Sequence, residues 1–136
     1  MPLPRELQLV VVTPETTVLD VPVSGLRLPL YDGQIGILPG RAPLVGRLGY
    51  GELKYTPTDG REESLFVDGG FVQVNGPVVS VLTNRALSTD AISAREAEEQ
   101  LTRAVALVPR TELEFQAKDR DQERARRMLA LARRSR

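Results

Sequence analysis

The sequence predicts an α+β fold: an antiparallel β-sandwich or flattened barrel of about ten short strands over residues 1–87, followed by an antiparallel two-helix hairpin over residues 88–136. Three observations carry this. Short apolar, β-branched runs alternate with Gly, Pro and Asn/Asp turn signals as far as Arg85. The composition then changes: beyond Ala86 there is no glycine and one proline, Pro109. In that second part Ala94, Ala97, Leu101, Ala104, Val105 and Val108 recur at helical spacing.

The elements follow in order. Residues 6–13, E-L-Q-L-V-V-V-T, put Leu7, Leu9 and Val11 on one side of a first strand, and Thr13-Pro14-Glu15 turns out of it. Residues 16–23 form a second, with Pro22 confining its end to an edge. Ser24-Gly25 is read as a break before Leu26-Arg27-Leu28. Residues 31–51 hold six of the eleven glycines and two of the ten prolines, so the chain turns repeatedly there and builds a corner. Within it Asp32-Gly33 is a hairpin-turn pair, 35–38 and 44–48 are short strands, and Pro39-Gly40 is a turn. This corner contains no Ser, Thr, His, Cys or Glu, which leaves no side chain for nucleophilic catalysis; its shape suits core formation and docking.

Residues 52–55 alternate again, and Pro57-Thr58-Asp59-Gly60 turns into 64–67. Asp68-Gly69-Gly70 is read as a strand-end turn rather than a catalytic carboxylate, 71–74 resume the strand, Asn75-Gly76 is the strongest hairpin signal, and 78–83 form the last strand. Ser88 or Thr89 is expected to cap the first helix, with Asp90 in its first turn, and Pro109 to end it. Thr111 and Glu114 write a capping box for the second helix, whose apolar positions are Ala117, Ala125, Met128, Leu129 and Ala132. Both stripes are rich in alanine and narrow, so the hairpin should dock weakly.

The 18 basic and 18 acidic residues cancel, but unevenly. Residues 88–115 carry 3 basic against 6 acidic side chains, and 116–136 carry 8 against 3. Such segregation suits an interaction surface. The absence of Cys and His removes disulfides, thiolate chemistry, the common zinc sites and the usual neutral-pH proton carrier. The start lacks the pattern of a signal peptide, and no apolar run approaches the roughly 20 residues of a membrane helix. No Walker or dinucleotide-type glycine loop occurs. The Arg-rich end has no aromatic residue to stack a base, so an acidic protein surface is its expected partner rather than nucleic acid.

Two stretches resemble a known family. Gly33 to Leu44, G-Q-I-G-I-L-P-G-R-A-P-L, is similar to the signature of the epsilon subunit of the rotary ATP synthase, called delta in mitochondria. Phe66 to Val74, F-V-D-G-G-F-V-Q-V, with Val78 to Ala86, is similar to that family's second signature. The resemblance implies a non-catalytic rotor subunit without a cofactor, peripheral on the cytoplasmic side of the bacterial inner membrane. Its sandwich would bind the gamma subunit and sit on the ring of membrane subunits. The ring-facing positions correspond to Tyr31, Asp32 and Gln34, with Arg41 nearby in place of a frequent His. The resemblance also implies an arm that meets the alpha/beta catalytic head and limits ATP hydrolysis, for which Arg124, Arg126, Arg127, Arg133 and Arg134 are the candidate residues. Some relatives bind ATP through I-D-x-x-R-A. Here Ile92-Ser93-Ala94-Arg95-Glu96-Ala97 puts Ser in place of the Asp and Glu in place of the Arg, so no ATP site is expected. Two other readings compete: a free-standing sandwich that binds proteins and dimerises through its helical tail, and an enzyme with a site in the sandwich.

Overall fold

The computed structural model describes residues 6–134. The chain divides between Leu87 and Ser88 into two compact units. The first contains β1 (Leu7–Val12), β2 (Thr17–Leu30), β3 (Gly33–Ile37), β4 (Leu44–Pro57), β5 (Glu63–Asn75) and β6 (Val78–Leu82), and a short β7 (Ala86–Ser88) pairs with β5. β1 supplies the expected alternation: Leu7, Leu9 and Val11 are buried and the residues between them are half-buried. Leu28, Ile37, Leu48, Leu53, Val67, Val72, Val74, Val79 and Val81 complete the core.

Strands β1, β6, β5, β4 and β2 are paired in that order, and β2 pairs back onto β1, so five strands close a flattened barrel. β3 adds to the second half of β2. Among the described residues one pairing of the ring is parallel, β1 with β6, where Gln8 faces Val78 and Val12 faces Leu82. A closed ring with an odd number of strands cannot alternate direction all the way round, so one parallel pair is obligatory.

The strands are fewer and longer than expected, because three supposed breaks are bends within strands. β2 passes Ser24-Gly25 through a register shift. β4 runs on through Gly46, Gly49 and Gly51. β5 runs through Asp68-Gly69-Gly70, where the sequence signals a strand end. Gly70 has φ 109°, and a Cβ there would lie 1.8 Å from the Leu82 carbonyl oxygen. Only glycine lets the two backbones come this close. Asp68 is buried, and its N–H donates to Thr83 Oγ1 at 2.9 Å and to the Arg85 carbonyl at 3.1 Å. This is a structural knot, as its backbone donors and acceptors are used locally. The two-residue hairpin loop after β5 is Gly76-Pro77, one position later than Asn75-Gly76 suggested, with Gly76 at φ 61°.

The second unit contains α1 (Ala94–Ala106) and α2 (Glu112–Arg134). Ser88 makes no capping bond, and Thr89–Ala91 form a separate 3₁₀ turn that brings Ile92 into a buried position. The cap of α1 is Ser93, whose Oγ accepts the Glu96 N–H at 3.2 Å. The helix stops at Ala106, ahead of Pro109, which lacks an N–H to continue the ladder. Val108 therefore lies beyond the helix and Val105 points away from the stripe; they are 80% and 52% exposed, while Ala97 and Ala104 are buried. The second capping box forms as read: Thr111 Oγ1 accepts the Glu114 N–H at 3.1 Å, and Glu114 Oε2 accepts from Thr111 N–H at 3.2 Å. α2 buries Ala125, Met128, Leu129, Leu131 and Ala132, so Leu131 joins the anticipated stripe.

Candidate docking surfaces

The turn between β2 and β3 consists of Tyr31 and Asp32, because Leu30 pairs with Gly33. Gly33, at φ 141°, absorbs the conformation that an L side chain resists. Ile35 and Ile37 point inward and anchor β3, which leaves Asp32 and Gln34 exposed. Tyr31 is 66% exposed, yet it is held: its N–H donates to the Arg47 carbonyl at 2.8 Å, and the Arg47 guanidinium carbon lies 4.2 Å from its ring centroid. Arg41 is exposed on the connection from β3 to β4, as is Leu38, at 68%.

The strand register reveals a second surface that sequence reasoning missed. On β5, Val72 and Val74 face inward, so Phe71 and Gln73 face outward. Phe71 pairs across with Arg47 on β4 and with Leu82 on β6. Val45 lies on the same outer face of β4. Val45, Phe71 and Leu82 are 73%, 59% and 53% exposed. The result is a continuous row: Tyr31 stacked on Arg47, then Phe71, then Leu82, with Val45 beside it. Such a row has the chemistry of a docking surface, bulky apolar side chains flanked by a cation. The alternation in F-V-Q-V was legible, but which residues neighbour Phe71 depends on register.

The five candidate arginines of α2 do not converge on one face. Arg124 is three-quarters buried and its Nη1 donates to Asp121 Oδ1 at 3.2 Å. Arg127 donates to Glu123 at 2.8 Å, and Arg133 reaches across to Glu98 of α1 at 3.4 Å. Arg134 is exposed. Arg126 is exposed and, among the described residues, has no carboxylate partner.

The stretch aligned with the nucleotide motif is committed to helix formation. Ser93 caps α1 through Glu96, and Arg95 pairs with Glu99 at 3.3 Å. A cavity of about 400 Å³ lies further along the hairpin, lined by Gln100, Arg103, Leu107, Asp121 and Arg124. The described residues contain no cluster of His, Cys, Asp and Glu that could hold a metal, and no helix is long and apolar enough to cross a membrane.

Residues 6–89 match the family model described as "ATP synthase, Delta/Epsilon chain, beta-sandwich domain". The chain is 44% identical over 127 residues to the ATP synthase epsilon chain of Rhodopirellula baltica, covering 93% of this chain and 98% of that one. It is 40% identical over 99 residues to the epsilon chain of Carboxydothermus hydrogenoformans, covering 73% of each. Among solved structures, a chain in the Euglena gracilis mitochondrial ATP synthase (OSCP/F1/c-ring) superposes with a TM-score of 0.84 at 23% identity, covering 96% of this chain and 83% of that one. A chain of the Tetrahymena thermophila mitochondrial ATP synthase central stalk and c-ring superposes with a TM-score of 0.74 at 13% identity, covering 97% and 99%. At such identities the likeness is one of fold.

Proposed function

We infer the role of this chain from its kinship: it belongs to the ATP synthase delta/epsilon family. We propose that it is a non-catalytic rotor subunit of the central stalk, which couples gamma to the ring of membrane subunits in a proton- or sodium-translocating enzyme. It would be peripheral, on the cytoplasmic side of the bacterial inner membrane.

The observation that carries the reading is the outward row of Arg47, Phe71 and Leu82, with Val45 beside it. Bulky apolar side chains on a sheet face gain most when a partner covers them, and gamma is assigned to this face. The adjoining turn, Tyr31, Asp32 and Gln34, is assigned to the ring; Asp32 supplies its charge and the Arg47–Tyr31 stack its rigidity. The helical hairpin is assigned to the alpha/beta catalytic head, where Arg126 offers a cation not engaged in the hairpin.

The test is reconstitution. Added to gamma and a catalytic head lacking their own epsilon chain, the protein should co-purify with gamma in equal amount. Added to the whole enzyme, it should restore ATP-driven ion pumping. Absence of both results would leave the free-standing binding module as the better reading.

A further inference from the structure

The hairpin is unevenly held along its length. The buried residues of α2, from Ala125 to Ala132, all lie in its second half. α1 buries Ala97 and Ala104. In an antiparallel pair the last turn of α1 lies beside the first turns of α2, so the connector end has Ala104 for a core. The apolar residues around the connector do not add to it: Leu107, Val108 and Leu113 are 55%, 80% and 77% exposed.

At this end Lys118 of α2 donates from Nζ to two carbonyl oxygens of α1 and its connector, Val105 at 3.1 Å and Leu107 at 2.7 Å. Both acceptors need an outside donor. The Val105 carbonyl would accept from residue 109 in a continuing helix, but Pro109 has no N–H. The Leu107 carbonyl already lies past the end of α1, where the backbone is extended. The ammonium also sits at the negative end of the α1 dipole, where a cation is favoured.

We propose that Lys118 is the clasp of the connector end, and that without its charge the two helices part from that end while remaining packed at the other. The clasp stands on the hairpin's own geometry and is independent of which partner the chain docks against.

Amide hydrogen exchange on the full-length chain tests it, comparing wild type with Lys118→Met and Lys118→Arg. Methionine keeps the length and helix propensity of lysine but removes the donor and the charge. Lys118→Met removes both charge-assisted hydrogen bonds and should speed exchange about tenfold or more over residues 103–106 and 115–119. Residues 128–132 and the sandwich strands should be unchanged, and Lys118→Arg should keep most of the protection. Wild-type rates in Lys118→Met would overturn the proposal. So would an acceleration shared equally by residues 128–132, since that would mean the hairpin opens as one unit.

Discussion

Replacing Phe71 and Leu82 together by serine tests the sheet-face row directly. The two side chains are 59% and 53% exposed, so a partner that covers them has about half of each still to bury. Full burial of a Phe or Leu is worth about 1.5–3 kcal/mol, which leaves about 1 kcal/mol for each and about 2 kcal/mol for the pair. That corresponds to a Kd for gamma weakened roughly thirtyfold. The half of each side chain already buried contributes to folding by a similar amount, so stability should fall by about 1 kcal/mol per site with the fold kept. The assay is calorimetric titration of the chain into isolated gamma, with urea unfolding as the control for stability. Val72→Ser, which faces inward on the same strand, should show the opposite pattern: a large loss of stability. A Kd for the double variant within a factor of two of wild type, with the fold intact, would refute the assignment of gamma to this face.

The remaining expectations are independent of that result. Asp32→Lys should weaken ion-coupled activity of the assembled enzyme and leave the thermal unfolding of the isolated chain unchanged, because Asp32 is exposed in a turn; normal coupling would remove the ring assignment. If the arm inhibits, neutralising Arg124, Arg126 and Arg127 together should raise ATP hydrolysis by the reconstituted head towards the rate with a chain ending at Ser88, and added salt should do the same. Arg126→Gln should give the largest single effect, since Arg124 and Arg127 must first leave Asp121 and Glu123; equal rates for all variants would rule out inhibition. Gly70→Ala should cost about 3 kcal/mol or more in urea unfolding, through strain at positive φ and collision with the Leu82 carbonyl, whereas Gly36→Ala, with nothing within 4 Å, should stay within about 0.5 kcal/mol. Burial, aided by the Glu63 carboxylate, raises the Tyr55 phenol above its usual pKa. The folded state thus holds this proton more tightly than the unfolded chain does. Its stabilising share is complete below pH 10.0, the ordinary value, and is lost as pH climbs through the folded value. Tyr55→Phe should flatten that alkaline loss, as read by denaturation at successive pH values.

Local rules were legible where one residue pair decides the outcome. The alternation of Leu7, Leu9 and Val11 shows which side of β1 is buried. Thr111 and Glu114 close their box because both partners lie within one turn. Gly69-Gly70 misled because glycine marks a turn and a close backbone approach with the same letter; only the position of Leu82 distinguishes them. Ser93 stands where the nucleotide motif has Asp, which hides its capping role, and Ser88 and Thr89 ahead of Asp90 offer the same cap chemistry in sequence. The docking row needs three strands in register, with Arg47, Phe71 and Leu82 coming from separate hairpins, so no window of sequence contains it. The tail's charge was countable, but which arginines are occupied depends on how α1 and α2 pair: Arg133 finds Glu98 only across the hairpin.

The parallel contact between β1 and β6 has a kinetic consequence. Every other neighbour in the ring can form as the chain lengthens, since β2 can pair with β1 and β4, and β5 with β4 and β6, through connections of modest length. The seam between Gln8 and Val78 joins the first strand to the sixth, so it cannot close until nearly the whole sandwich has been synthesised. Bringing such distant segments together carries the largest loop-closure entropy in the barrel and makes it a slow, high-contact-order step. Until then β6, whose Val79 and Val81 end fully buried, has an unpaired edge and an uncovered apolar face. During synthesis the nascent chain is therefore most open to wrong strand pairing in the interval between completion of β6 and capture of β1.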